Sequence, residues 1–238
     1  MEFSKRDIIL DSWQTLKNHL GLWLLIMLFI FCINIIISIV QERLLDNITA
    51  QTILFIIAAY LFQAGLNLGM LKIALNIHKD SEVEFYQVFG SFHMLATYIL
   101  ATLVFLSLLF LAASPGIILL MLSISADIES IPNLEGLSGA SFIITMLLII
   151  IPAVYASIRL QLYDYYLIDE ECRVIDSIKE SIRTTKGYAG ELFVLGVILS
   201  IIILISMIPL MIGLIISIPF AIMVNTHVYL KLKNSHQR

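Results

Sequence analysis

Charged side chains are scarce in this chain of 238 residues, where Asp, Glu, Lys and Arg together make up 13% and hydrophobic residues make up 60%. A water-soluble domain carries about 25% charged residues. So few charges could not cover a surface that faces water. The composition therefore predicts an all-α integral membrane protein.

Cysteines and catalytic motifs are also scarce. Cys32 lies in an apolar run and Cys172 in a charged segment, so neither a disulfide framework nor a zinc site is indicated. The sequence has no G-x-S-x-G, Walker or H-E-x-x-H motif. No ionisable side chain lies deep in an apolar run, which counts against a proton pump. We expect no enzymatic activity, no cofactor and no metal.

Long apolar runs predict six membrane-spanning helices, because about 20 apolar residues cross about 30 Å of hydrocarbon. The expected spans are 20–40, 51–71, 94–114, 136–158 and two within 192–226, joined tightly near 206–213. The first span follows a charged stretch without a cleavage site, so we expect it to be retained. The third run continues to residue 126, and Ser114-Pro115-Gly116 is expected to break it.

The distribution of basic residues predicts the orientation of these spans. With six crossings, 13 of the 14 Lys and Arg residues fall on the side of the two termini, and Arg43 is the exception. Basic residues accumulate on the cytoplasmic side. We therefore expect both termini in the cytoplasm, with the chain in the cytoplasmic (inner) membrane of a bacterium.

Two polar stretches resemble each other. They are "SWQTLKNHLG" at 12–21 and "SIRTTKGYAG" at 181–190, which match at Ser12/Ser181, Thr15/Thr184, Lys17/Lys186 and Gly21/Gly190. Each ends an amphipathic segment. The first segment has Ile9, Trp13, Leu16 and Leu20 on one face and a capping pair Ser4/Asp7, and the later one has Val174, Ile178 and Ile182.

A third such segment is expected between them. Ser81-x-x-Glu84 would cap a helix with a stripe of Phe85, Val88, Phe89 and Phe92. The pattern predicts an interfacial helix and a hairpin of two spans, three times over, in one domain of residues 1–238 with units of about 1–78, 79–168 and 169–238. The alternative is that any helix entering a membrane is amphipathic.

Three stretches carry a resemblance to a known family: "IIIPAVYASIRLQLYDYYLIDE", "VIDSIKESIRTTKG" and "IPFAIMVNTHVYLKL". They resemble the uncharacterised YciC-like bacterial inner-membrane proteins, and are similar to the membrane domain of some glycerophosphoryl diester phosphodiesterases. The matching positions are Pro152-Ala153, Arg159, Asp169-Glu170, Ser181, Lys186-Gly187 and Tyr229. The resemblance implies a fold and a membrane location but no reaction.

Basic residues of the amphipathic segments are the first candidate site. We expect Lys17, Arg159, Lys179, Arg183 and Lys186 to contact anionic lipid headgroups. The alternative is that these charges only orient the chain. Asp169, Glu170 and Glu171 are expected to form a hydrated acidic turn rather than a cation site.

Polar residues inside the spans are the second candidate site. Gln63 and Asn67 share a face with each other, and Gly65 and Gly69 form a G-x-x-x-G pair beside them. With Asn225 they could line a polar groove, but hydrogen bonds between helices are the favoured interpretation. Four histidines, His19, His78, His93 and His227, lack metal-ligand spacing.

The sequence favours a non-enzymatic membrane module that binds membrane lipids or another membrane protein. We expect no nucleic-acid partner. The alternative is a small-solute transporter or channel with a polar site at the membrane midplane, as in repeat-built transporters.

Overall fold

The computed structural model describes residues 4–45, 49–128, 139–208 and 212–236. These ranges hold α-helices, two short 3₁₀-helices and no strand. The α-helices are α1 (Lys5–Asn18), α2 (Leu20–Leu45), α3 (Ala50–His78), α4 (Leu95–Ile128), α5 (Gly139–Leu160), α6 (Tyr163–Glu170), α7 (Val174–Thr184), α8 (Ala189–Met207) and α9 (Leu214–His236). Within the described ranges, six helical segments are long and apolar enough to cross a membrane, which confirms the number predicted.

The expected break at Ser114-Pro115-Gly116 is wrong, because α4 continues through all three residues. Pro115 has no N–H, so the carbonyl of Leu111 loses its usual helical donor. The Ser114 hydroxyl donates to that carbonyl at 2.8 Å and replaces the lost bond. Gly116 then allows close packing, since a Cβ there would lie 2.7 Å from the backbone nitrogen of Ile149 in α5.

The segment between α3 and α4 also differs from the prediction. Instead of one capped α-helix it forms two 3₁₀-helices, Phe85–Phe89 and Phe92–Met94, and Glu84 at the first N-cap makes no side-chain capping bond. The segment is held against α3, where a Cβ on Gly69 would lie 1.8 Å from the Val88 carbonyl oxygen. The two glycines of the G-x-x-x-G pair thus leave room for this segment to pack against α3. The segment predicted to carry an apolar stripe on an interfacial helix packs on α3 instead.

The amphipathic helices α1 and α7 form, but their buried faces differ from those predicted. In α1 the buried residues are Ile8, Ser12 and Leu16, whereas Trp13 is 39% exposed. Ser4 caps the helix as expected by accepting from the Asp7 N–H at 3.4 Å. The predicted buried faces of both helices are wrong for the same reason. Serine and threonine side chains are buried in α1 and α7, whereas the prediction placed only apolar side chains there.

The core lies towards one end of the bundle. In α3 nearly every residue from 64 to 77 is buried, whereas most of 50–63 is exposed. In α9 the buried residues run from Ser217 to Leu232. We call the end formed by these halves of α3 and α9, together with α1, α6 and α7, the packed end. The exposed apolar halves are suited to contact with lipid, since helices satisfy their backbone groups internally.

The last two spans are joined by a short connection, as predicted. Helix α8 ends at Met207 and α9 begins at Leu214. A Cβ on Gly213 would lie 2.5 Å from the Ser206 carbonyl oxygen, so glycine permits the close approach. Residues 209–211 of this connection lie outside the described residues.

Candidate functional site

Helices α3, α6 and α9 converge at a buried carboxylate in the packed end. The Asp169 carboxylate accepts hydrogen bonds from the Lys233 Nζ at 2.7 Å and from the Tyr229 hydroxyl at 2.8 Å. It also pairs with the Lys79 ammonium, and its side chain is only 3% exposed. Lys233 reaches Glu170 as well, at 2.8 Å. We call these five residues the Asp169 junction.

Aromatic side chains of α6 enclose the junction. Tyr165 stacks on Tyr229 with ring centroids 5.4 Å apart, and Tyr166 meets the same ring edge-on at 4.9 Å. The Tyr166 hydroxyl lies 2.5 Å from the Thr184 hydroxyl, which ties α6 to α7. The expectation of a hydrated acidic turn is therefore wrong for Asp169, because its side chain is buried and is bound by two ammonium groups and a phenol.

A second set of contacts fixes α7 to the end of α5. The Arg159 carbonyl accepts from the hydroxyls of Ser181 and Thr185, both at 3.1 Å. Ser181 in turn accepts from the Leu162 N–H at 3.2 Å. The last carbonyls and the first free N–H groups around a helix end need such partners when they are buried. Ser181 and Thr185 therefore act as a clasp that sets the rotation of α7 about its axis.

This rotation leaves one face of α7 open. Ile178 is buried and Val174 is half-buried, whereas Ile182 of the predicted apolar stripe is exposed. The open face consists of Ile175, Lys179, Ile182 and Arg183, with the exposed Asp176 at its edge. We call these four residues, together with the exposed Lys186 in the turn that follows, the α7 outer face. The spacing i, i+4, i+7 and i+8 places Ile175, Lys179, Ile182 and Arg183 on one side of α7, and Lys186 follows in the turn after the helix. Apolar and cationic side chains therefore share a single surface.

Two other predicted headgroup contacts lie elsewhere on the molecule. Lys17 is exposed in the last turn of α1. Arg159 is half-buried in the last turn of α5, and its backbone carbonyl is part of the clasp. Arg183 has one acidic neighbour, since its guanidinium lies 3.2 Å from Glu180 on the same helix. Three of the five cations thus share the α7 outer face.

The polar residues within the spans do not converge. The Gln63 amide donates to the Asn34 carbonyl oxygen at 3.0 Å and joins α3 to α2. Asn67 is exposed on α3, and Asn225 is half-buried on α9. The contact of Gln63 supports the helix-packing interpretation of that residue.

A lateral cleft opens between α4, α5 and α8. Its volume is about 520 Å³, and its apolar walls include Phe105, Val154, Leu192, Phe193 and Val197. Its polar residues are Ser157, Gln161, Tyr163 and Ser200, and Gly196 lies between Leu192 and Ser200. We call this the α5–α8 cleft.

Two of the histidines form a pair of rings. His78 and His227 lie edge-to-face with centroids 5.7 Å apart, beside a second cavity of about 620 Å³. Among the described residues no group of three or more His, Cys, Asp or Glu side chains is placed to hold a metal ion. His93 bonds to the Gly90 carbonyl instead.

Sequence reasoning missed the role of α6. Tyr163 lies in the wall of the cleft and its hydroxyl is 3.1 Å from that of Thr102. Asp164 is half-buried beside it and accepts from the Tyr165 N–H at 2.9 Å. The sequence signal was the run "YDYYLIDE", which mixes aromatic and acidic residues directly after a span. Such a composition favours a buried polar helix over a surface turn.

Comparison with known proteins gives a family but no characterised relative. A family model described as "Protein of unknown function (DUF975)" matches residues 1–236. No curated protein and no solved structure matches the chain. The resemblance to YciC-like proteins and to phosphodiesterase membrane domains is thus not confirmed by a named relative.

Proposed function

We propose that this chain, which belongs to the DUF975 family of proteins of unknown function, is a non-enzymatic multi-pass membrane protein that binds anionic lipids through the α7 outer face. One observation carries the proposal: Ile175 and Ile182 are exposed on the same face of α7 as Lys179 and Arg183, and the exposed Lys186 follows in the next turn. A helix in the headgroup region inserts apolar side chains and offers its cations to phosphates.

The clasp supports this proposal because it holds the face in place. Ser181 and Thr185 bind the end of α5, so α7 lies where a span meets the surface. Each cation near an anionic surface contributes about 1 kcal/mol. Arg183 contributes less, since its pair with Glu180 already offsets part of its charge.

The same geometry supports the proposed threefold organisation. Lys79 follows α3, Asp169 lies in the last turn of α6, and Lys233 lies in the last turn of α9. Lys79 and Asp169 stand at the two boundaries between the proposed units, Lys233 lies near the end of the third unit, and all three side chains meet at the junction. We infer that α1, the 3₁₀ segment and α7 precede corresponding hairpins, with both termini in the cytoplasm and the chain in the inner membrane.

The one thiol near the junction supports a non-enzymatic role. Burial, together with the neighbouring charge of Glu170, raises the pKa of the Cys172 thiol. A raised pKa keeps the sulfur protonated and a poor nucleophile. Cys172 instead makes a long contact with the Tyr166 carbonyl, at 3.5 Å.

Removing the cations of the α7 outer face tests the proposal. Purified protein would be released from nanodiscs that contain equal amounts of phosphatidylglycerol and phosphatidylcholine, and the bound lipids would be counted by native mass spectrometry. We expect wild-type protein to be enriched several-fold in phosphatidylglycerol. Replacing Lys179, Arg183 and Lys186 with alanine removes about 2 to 3 kcal/mol of attraction and should bring the ratio close to one.

A matched control removes three cations outside that face. Lys5, Arg6 and Arg173 replaced with alanine change the net charge by the same amount and should keep the enrichment. Equal enrichment in wild type and in the α7 variant would refute the proposal. Added salt should reduce the wild-type enrichment, because ions screen exposed charges.

A further inference from the structure

The α5–α8 cleft is a second feature of the membrane-embedded surface, separate from the α7 outer face. Its walls belong to α4, α5 and α8, and each of these lies in a segment apolar enough to cross a membrane. An occupant of the cleft would therefore come from the bilayer. The volume of about 520 Å³ falls within the range of about 300 to 1,000 Å³ that is typical of small-molecule sites.

Three of the four polar residues of the cleft, Ser157, Gln161 and Tyr163, lie towards one end, and along α8 the wall is apolar apart from Ser200. Gln161 and Tyr163 flank the junction of α5 and α6, at the packed end. From Leu192 to Ser200 the wall follows α8 for about 12 Å, at 1.5 Å per residue. Such a gradient fits a molecule with a polar group at the membrane surface and an apolar chain that descends into the hydrocarbon.

Two residues favour a lipid as this molecule. Gly196 lies in the wall, and a Cβ there would meet no atom within 4 Å, so the glycine leaves space where a chain can lie. Gln161 is half-buried at the polar end, and within the described part of the chain no hydrogen bond of its side chain is found. Its amide is a donor suited to an ester carbonyl, because a polar group at the edge of hydrocarbon needs a partner.

We propose that the α5–α8 cleft binds one glycerolipid, with an ester carbonyl hydrogen-bonded to Gln161 and an acyl chain lying along Gly196. The site recognises the ester region and the chain, so it accepts phospholipids of either headgroup charge. It goes beyond the anionic-lipid contact of α7 and does not depend on it.

Filling the cleft tests this proposal. Detergent-purified wild-type protein should carry one phospholipid per chain in native mass spectrometry. Gly196→Phe should reduce that occupancy at least tenfold, because the ring occupies the path of the acyl chain. Gly21→Phe is the matched control: Gly21 is also an exposed helical glycine without an atom within 4 Å of an added Cβ, and this variant should retain the lipid. Gln161→Leu should lower occupancy several-fold.

A photocrosslinker identifies the occupant directly. p-Benzoylphenylalanine in place of Phe193, which lies in the wall, should yield a lipid adduct. Unchanged occupancy in Gly196→Phe, or an adduct with a protein in place of lipid, would overturn the proposal. The variant with alanine at Lys179, Arg183 and Lys186 should keep the cleft lipid. The α7 variant therefore tests the anionic-lipid proposal and Gly196→Phe tests the cleft proposal, and either one can fail without the other.

Discussion

Asp169→Asn is expected to lower the free energy of unfolding by about 3 kcal/mol, because it removes the buried charge that Lys233, Lys79 and the Tyr229 hydroxyl all bind. The Lys233 side chain is 17% exposed and would keep only Glu170, at 2.8 Å, as an acidic partner. Lys79 is 47% exposed and can be solvated, so its share of the loss is small. Thermal unfolding of the purified protein in detergent would measure the effect.

A carboxylate on the surface provides the control for this substitution. Glu180 pairs with Arg183 on the exposed side of α7, where an ion pair contributes about 0 to 1 kcal/mol. Glu180→Gln should therefore leave the melting temperature nearly unchanged. If Asp169→Asn melted at the same temperature as Glu180→Gln, the junction would not hold α3, α6 and α9 together.

Gly69→Ala is expected to cost about 3 kcal/mol, at the upper end of the range for overpacking a core. The added Cβ would lie 1.8 Å from the carbonyl oxygen of Val88 and 2.7 Å from its Cα. Both are backbone atoms, so the whole 3₁₀ segment Phe85–Phe89 would have to move away from α3. Fluorescence-detected size exclusion after heating would report the loss of folded protein.

The same substitution at Gly21 should have the opposite sign. A Cβ on Gly21 meets no atom within 4 Å, and alanine within a helix is favoured over glycine by about 0.5 to 1 kcal/mol. The two variants differ only in what the added methyl group contacts. Equal melting temperatures for Gly69→Ala and Gly21→Ala would show that the 3₁₀ segment does not pack on α3.

The membrane spans could be predicted from the sequence because hydrocarbon imposes a strong composition. An apolar run of sufficient length has few alternatives to a spanning helix. The same medium explains the error at Pro115: a proline that ends a helix in water can be accommodated here, since the Ser114 hydroxyl satisfies the carbonyl that it frees. The sequence shows that Ser114 precedes Pro115, but it does not show that the Ser114 side chain adopts the rotamer that reaches the Leu111 carbonyl.

The rotation of α7 could not be predicted from hydrophobic periodicity. Much of its buried face consists of hydroxyl residues, namely Ser177, Ser181 and Thr184. The Ser181 hydroxyl donates to a backbone carbonyl at the end of α5, and the Thr184 hydroxyl bonds to a tyrosine of α6, so both can be buried. Periodicity assigns such residues to the surface. Hydroxyl groups repeated at helical spacing ahead of a span are a signal that could have indicated this face.

The Asp169 junction was also beyond sequence reasoning. Its members come from positions as far apart as Lys79 and Lys233, and only the tertiary structure brings them together. A partial signal existed, because a charged residue stands at or just beyond the end of α3, α6 and α9 alike. Opposite charges near the ends of three helices are compatible with a common meeting point.

The ends of α3, α6 and α9 must lie on one side of the membrane if they meet at Asp169. Cysteine accessibility in spheroplasts tests this directly, with Cys32 and Cys172 replaced by serine and single cysteines at Ser81, Glu171 or Asn234. A membrane-impermeant maleimide should label none of the three until the membrane is permeabilised, whereas Arg43→Cys should be labelled at once. Labelling of one or two of the three in sealed spheroplasts would contradict the shared junction and the count of six crossings, and labelling of all three would contradict the cytoplasmic orientation.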